Sequence, residues 1–393
     1  MLRSVELFAG AGGLALGVSQ AGFQHEAVVE WDHDACETIR ANQMINLKHV
    51  RDWKLEEANV RTFNFNAIPE DIDLLAAGVP CQPWSIGGKH RGFEDDRNLF
   101  PDTIKAVLAL KPKAILIENV KGLTRQSFHN YFTYIQYMLE FPEIARRENE
   151  DWIDHRRCLE TYVMSRGKKG YGGLRYNVVP EVVNAAKYGV PQKRERVFIV
   201  CFRSDIKADW SFPKETHCEE LLLASQWIGG EYWDRHEVAK KNRPPKPPGV
   251  ERRVANGELF ENRLPWVTVR DALREFPDPL SSEAKKFANH IFQPGARPYT
   301  GHTGSPLDEP AKTLKAGDHG VPGGENMIAF PSGDVRYFTV REAAAIQTFP
   351  KRFVFNSSWS ENMRQIGNAV PVQLAKTLAD SIATTLLQHR ERN

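Results

Sequence analysis

The feature that most constrains the fold is a glycine turn set between an apolar strand and a helix, near the start of a longer alternation of the same kind. Val5-Glu6-Leu7-Phe8 reads as a short strand, Gly10-Ala11-Gly12-Gly13 follows, and Leu14 to Ala21 reads as a helix stopped by Gly22. Ala27 to Glu30 is a second strand and Asp34 to Asn42 a second helix; Asp73 to Ala77, Ala114 to Glu118 and Val197 to Phe202 are further apolar runs. Apolar strands separated by helices predict a parallel sheet covered on both faces. Such sheets bind ligands outside the carboxyl ends of their strands. Phe8-Ala9-Gly10, Glu30-Trp31, Pro80-Cys81 and Glu118-Asn119 all fall at those ends.

A chain of 393 residues implies two or three domains at about 150 residues each. After about residue 203 the periodicity fades and proline, glycine and tryptophan accumulate, as in Arg243-Pro244-Pro245-Lys246-Pro247-Pro248-Gly249, which cannot be helix interior. Regular structure returns with predicted helices over Thr339–Gln347 and Val372–Leu387. No run of about 18 apolar residues occurs, so no membrane-spanning helix is expected, and no secretory leader is read at the start. The 52 basic and 50 acidic residues nearly cancel, so any surface for a polyanion must be local. One such stretch is Arg235 to Arg253, where seven basic residues face only Glu237 and Glu251. The five cysteines (36, 81, 158, 201, 218) are odd in number and lack CxxC spacing, which argues against a disulfide framework or a zinc site. By default each is a small buried hydrophobe.

Five segments carry candidate chemistry. Glycines 10, 12 and 13 allow close backbone approach to a ligand, and Glu30 at the next strand end can accept from ribose hydroxyls. The pattern is neither G-x-G-x-x-G nor a phosphate loop, so it indicates only a nucleoside-containing cofactor, with Trp31 placed to stack on a base. Cys81 follows a buried strand between Pro80 and Pro83, and the glycine-rich cationic stretch Ile86 to Gly92 could supply the positive charge a thiolate needs. Glu118 ends an apolar strand, where partial desolvation would raise its affinity for a proton and suit it to act as an acid. Arg194 and Arg196 alternate before an apolar strand and could share one face, gripping a base carbonyl or a phosphate. Gly367 and Asn368 stand ahead of the last long helix.

Together and in this order, these segments resemble the cytosine-5 DNA methyltransferase family. The resemblance rests on Phe8-Ala9-Gly10-Ala11-Gly12-Gly13, Glu30-Trp31, Pro80-Cys81-Gln82-Pro83-Trp84-Ser85, Glu118-Asn119-Val120, Gln192-x-Arg194-x-Arg196, Arg341 through Gln347-Thr348-Phe349-Pro350, and Gly367-Asn368. It covers about residues 4–202 and 335–393. It implies a Rossmann-like, S-adenosyl-L-methionine-dependent methyltransferase domain (1–202 plus 335–393) with a smaller, loop-rich target-recognition domain (203–334) inserted. It further implies that Cys81 attacks C6 of a cytosine flipped out of duplex DNA, that Glu118 protonates N3, and that Arg196, with Arg194, holds the base. By the same resemblance Phe8, Gly10, Gly12, Glu30, Trp31, Pro80, Leu99, Asn368 and Ala369 line the cofactor. Where the family often has Asp before a β-branched residue to meet the adenine amine, this chain has Asn59-Val60, whose amide oxygen can still accept.

Gln82, Ser85, Lys89 and Arg91 fall in or beside a loop that would act as a lid on the base. Thr313-Leu314 resembles the family's pair near the target base, and Lys315 to Gly324 would then be a major-groove loop. The basic 235–253 stretch reads as phosphate contacts or as a solvated linker. The expected partners are double-stranded DNA and, acting on the same sequence, a cognate restriction endonuclease; the expected state is a cytoplasmic monomer with no metal. A tRNA-directed member of the same family and a non-catalytic paralogue are the alternatives. Trp84-Ser85 and the large insert favour DNA, and retention of Cys81, Glu118, Arg194 and Arg196 argues for catalysis.

Overall fold

The computed structural model describes residues 1–80, 98–166, 172–255, 262–300, 303–316 and 326–392. Seven strands form the central sheet: β1 (Leu2–Leu7), β2 (Phe23–Glu30), β3 (Leu55–Glu57), β4 (Leu74–Gly78), β5 (Ala114–Val120), β6 (Tyr176–Asn184) and β7 (Glu195–Arg203), in the order β3-β2-β1-β4-β5-β7-β6. The first five are parallel, but β7 runs antiparallel to both β5 and β6. This corrects the all-parallel expectation. Residues 185–194 return the chain directly from β6 to β7 with no crossover helix, and a short connection of that kind joins antiparallel strands.

Strand alternation divides the buried residues into two layers. Val5, Leu7, Leu75, Ala77, Ile115, Ile117, Val197 and Ile199 face the helices Phe100–Leu110 and His129–Glu140, with the helix Trp152–Arg166 packed beyond. Leu2, Leu74, Ala76, Leu116, Phe198 and Val200 face the other way, toward α1 (Gly13–Gln20) and the C-terminal helix. The continuous apolar runs of β4 and β5 follow from burial on both faces.

The C-terminal helix extends further than expected, over Val372–Glu391, and a preceding helix, Trp359–Asn368, was not foreseen. Gly367 and Asn368 therefore close that helix instead of heading the last one. Gly17 packs against the last helix so closely that a Cβ there would overlap Ala375. The expected helix at 339–347 spans Val340–Ile346, with a capping box between Thr339 and Glu342.

In the chain between β7 and these helices come four short helices, Glu219–Ala224, Glu231–Arg235, Val250–Val254 and Val269–Leu273, and the strand pairs His217–Cys218 with Leu264–Pro265 and Ser305–Pro306 with Met327–Ala329. Leu222, Tyr232, Trp233, Val238 and Trp266 form a small core there, which explains the local tryptophans. The boundary expected at 203 does not coincide with a change of core. Trp210 packs beside the first unit and donates to Ser381 Oγ at 2.9 Å, while Val269, Ala311, Leu314 and Ile328 share a core with Ala9, Leu16 and Phe338.

Candidate active site

The site lies along the carboxyl ends of β1, β2, β4 and β5. β1 is followed by Phe8, whose φ of 57° is left-handed and uncommon for an aromatic residue, and the chain continues through Gly10 (φ 54°) and Gly12 (φ 87°). A Cβ at Gly12 would lie 2.7 Å from the Trp53 ring, whereas one at Gly10 would meet nothing within 4 Å. Gly12 is thus dictated by packing, and Gly10 leaves open space at the strand end. Glu30 braces the turn: it accepts from Gly10 N–H at 2.7 Å, Trp31 N–H at 2.9 Å and Asp32 N–H at 2.8 Å. Burial raises its pKa, and the three backbone N–H groups oppose that rise. Oε1 takes the Trp31 and Asp32 donors and Oε2 takes Gly10, so Oε2 keeps a lone pair for a further donor. Trp31 is 73% exposed beside it.

The donor set fits the nucleoside end of S-adenosylmethionine: a braced carboxylate for hydroxyls, an exposed indole for a base, and open backbone at Gly10. Val60 is buried in the core, Phe8 and Leu99 pack half-buried against it, and Pro80 is half-buried at the end of β4. Asn59 is exposed, but its Oδ1 already accepts from Arg61 N–H at 3.0 Å, so the oxygen expected for an adenine amine is engaged in a local turn. Asn368 is exposed and Ala369 buried, across from the glycine turn; a Cβ at Gly13 would overlap the Val370 carbonyl.

The second half of the site is electrostatic. Glu118 is 7% exposed on β5, and Arg196 on β7 places Nε 3.1 Å from its Oε1. The register pairs Glu118 with Phe198 and Val120 with Arg196, so the two side chains meet diagonally on one face. Burial raises the Glu118 pKa, while Arg196 and Arg194 pull it back. The result is a shielded carboxyl with one guanidinium, Arg196, in contact and the charge of Arg194 farther off. Beside it, Asn119 Nδ2 donates to Val79 O at 3.1 Å, and its Oδ1 accepts from Val120 N–H at 2.8 Å. Asn119 therefore fixes the backbone one residue before Pro80, on the approach to Cys81. Cys81, Gln82, Ser85, Lys89 and Arg91 lie outside the described residues.

Three expectations need correction. Arg194 does not join Arg196 at Glu118. It is 1% exposed and donates to Leu314 O at 3.1 Å and Gly367 O at 2.8 Å, because it precedes β7 and points into the junction between segments. The Leu314 side chain is in the core, so it offers no surface to DNA, and the Thr313 hydroxyl donates to Lys193 O at 2.8 Å. Cys158 is exposed, unlike buried Cys36, Cys201 and Cys218. In the sequence Asn119, Gln192 and Gln347 stand only as motif members without a role; in the fold their amides meet partners distant in the chain.

In the basic stretch, Arg235 pairs with Asp271, Lys246 with Glu251 and Arg253 with Glu219, while Arg243 stacks over Trp233. Lys240, Lys241 and Arg252 are exposed and have no ion-pair partner among the described residues. The one group of acidic side chains close enough to hold a cation among the described residues, Asp32, Asp34 and Glu361, is instead bridged by Arg364, at 2.8 Å from Asp32 and 2.6 Å from Glu361. No helix among the described residues is long and apolar enough to cross a membrane.

Comparison with known proteins gives a consistent result. Residues 2–141 and 154–384 match the family model "C-5 cytosine-specific DNA methylase". The type II methyltransferase M.PspPI of Psychrobacter sp. (strain TA137) is 32% identical over 393 residues, covering 97% of this chain and 79% of that protein. M.NgoPII of Neisseria gonorrhoeae is 30% identical over 388 residues, covering 98% of this chain and 96% of that protein. Among solved structures, S. pombe Dnmt2 methyltransferase superposes with a TM-score of 0.55 at 18% identity over the whole of both chains, a likeness of fold.

Proposed function

The chain belongs to the family of C-5 cytosine-specific DNA methylases, and on that premise we propose that it methylates C5 of a cytosine in a specific double-stranded DNA sequence, with S-adenosyl-L-methionine as donor and Cys81 as transient nucleophile. One observation carries the reading: the shielded Glu118–Arg196 pair sits one strand from the end of β4, where Asn119 holds the backbone leading to Cys81. Glu30, Trp31 and Gly10 would hold the cofactor's nucleoside. When bound, the cofactor supplies a methyl group on a sulfonium.

C5 of cytosine is a poor nucleophile until something adds at C6, so covalent catalysis divides one hard step into easier ones. The Cys81 thiolate forms the S–C6 bond as Glu118 delivers its proton to N3, and the electron pair is then available at C5. Arg196 is positioned to hold the base carbonyl while balancing the Glu118 carboxylate. After methylation N3 returns its proton to Glu118, and loss of the C5 proton to a base restores the ring double bond and expels the thiolate. The target must leave the duplex stack for this chemistry, so the base is flipped. Residues 203–334 supply target recognition, with Lys240, Lys241 and Arg252 contacting phosphates. The enzyme is the modification partner of a restriction endonuclease that cuts the same sequence.

Bisulfite sequencing of host DNA expressing the gene tests this directly. One short sequence with a fixed methylated cytosine is expected. Label transfer to tRNA but to no duplex would overturn the DNA assignment, and transfer to neither would overturn the enzymatic one.

A further inference from the structure

Arg194 stands where three parts of the site meet. Two residues on is Arg196 at Glu118. The segment it grips at Leu314 leads, through Lys315, into the expected DNA loop. The helix end it grips at Gly367 leads into Asn368 and Ala369 beside the glycine turn.

Two amides complete the junction. Gln192 accepts from Leu314 N–H at 3.0 Å and donates to Gln347 Oε1 at 3.0 Å. Gln347 Nε2 donates to Ile366 O at 2.6 Å and Ala369 O at 3.0 Å. Independently, Gly367 lies so close to the other segment that a Cβ would sit 2.5 Å from Lys315 C and 2.7 Å from Ala316 Cα. Backbone therefore rests on backbone at the contact that Arg194 ties. Asn326 closes the far side, accepting from Lys315 N–H at 3.0 Å and donating to Lys315 O at 2.9 Å, so the stem of the loop is pinned to the same point.

Stability alone does not explain the arrangement. Arg194 is buried with its Nε lacking a partner among the described residues, and a buried cation with an orphan donor is costlier than an apolar filler. What the planar fork supplies is a fixed separation between two carbonyls from distant segments. Segments 314–316 and 367–369 cannot shift independently while it is in place. We propose that Arg194 is a positioning residue that couples engagement of DNA by the 311–316 segment to binding of the cofactor at 367–369, through its tie between the Leu314 and Gly367 carbonyls. The inference rests on the function proposed above.

The experiment measures affinity for S-adenosylhomocysteine with and without a duplex that the wild-type enzyme is first shown to methylate. Wild-type protein binds the nucleoside more tightly on the duplex, by roughly 5- to 150-fold. In Arg194→Lys, which keeps a charge but not the fork, the ratio falls to within about twofold of one. Linkage requires the same loss in duplex affinity measured with and without nucleoside, which a general weakening of the fold would not reproduce. Gln192→Ala, which leaves Arg194 in place, gives an intermediate ratio and serves where the lysine variant does not fold. An undiminished ratio in both variants, or a ratio of one in wild-type protein that methylates the duplex, overturns the inference and leaves the proposed function standing. Failure of the wild type to methylate any duplex strikes the proposed function instead.

Discussion

Replacing Glu118 by Gln probes the acid with the least change of shape. The amide keeps the volume and can still accept from Arg196, but it has no proton to deliver to N3. General acid catalysis contributes about 10²- to 10⁴-fold, so the barrier should rise by roughly 2.7–5.5 kcal/mol. A second cost falls on folding. Glu118 and Arg196 are 9% and 15% exposed at the side chain, and the carboxylate also offsets the buried charge of Arg194. Removing one member of a buried pair costs about 3–5 kcal/mol, and the acceptor retained by Gln, with the partial solvation of Arg196, reduces this to about 2–3 kcal/mol. Steady-state kinetics on the target duplex with a parallel urea titration separates the two effects. Turnover falls by two to four orders of magnitude, the urea midpoint falls, and affinity for S-adenosylhomocysteine stays near wild type because Glu30 and Trp31 are untouched. Burial raises the Glu118 pKa, so the wild-type rate limb that declines as pH rises through its ionisation is displaced upward from that of an ordinary glutamate, and the Gln variant lacks it. Turnover within about threefold of wild type would refute Glu118 as the acid.

Three further outcomes follow from other parts of the structure. Glu6 on β1 is fully buried, neither oxygen has a partner among the described residues, and burial raises its pKa well above normal. Its folded form favours the proton, so its contribution is fully present below the unfolded glutamate pKa and is lost as pH rises through the folded pKa. Stability should decline by about 1.4 kcal/mol per pH unit across that window in wild type and not in Glu6→Gln, measured by urea midpoints at several pH values. Gly17→Ala forces a Cβ against Ala375 and should cost about 1–3 kcal/mol in the same assay; an unchanged midpoint would show that the two helices separate freely. Trp31→Ala should leave stability within about 0.5 kcal/mol, since the side chain is 73% exposed. It should also weaken S-adenosylhomocysteine binding roughly tenfold through lost base stacking, and unchanged affinity in calorimetry would remove Trp31 from the site.

Much of this site was legible because its residues obey local rules. Glu30, Glu118 and Pro80 follow apolar runs that could only be buried strands, and the glycine turn must follow the first strand. The direction of β7 was not legible, because antiparallel pairing depends on how residues 185–194 turn, and no apolar period records that. Arg194 and Arg196 look equivalent in sequence at spacing two. Their roles diverge because β7 begins at Glu195, which leaves one arginine on the ladder and the other in a junction built by residues 314 and 367. Gln192, Gln347 and Asn119 stand in the motifs without a role, since an amide that serves distant backbone groups looks like any surface amide until the fold is known. Leu314 likewise reads as a motif member by its neighbours and as core by its surroundings.

Bond formation between Cys81 and the pyrimidine is tested most directly with a duplex carrying 5-fluorocytosine at the target position, incubated with enzyme and methyl donor. Fluorine at C5 cannot leave as a proton does, so a protein–DNA adduct that survives denaturation should accumulate with wild-type protein and be absent from Cys81→Ser. Efficient methylation of the ordinary duplex with no adduct on the fluorinated one, or an adduct that persists in the serine variant, would contradict the nucleophilic role of Cys81.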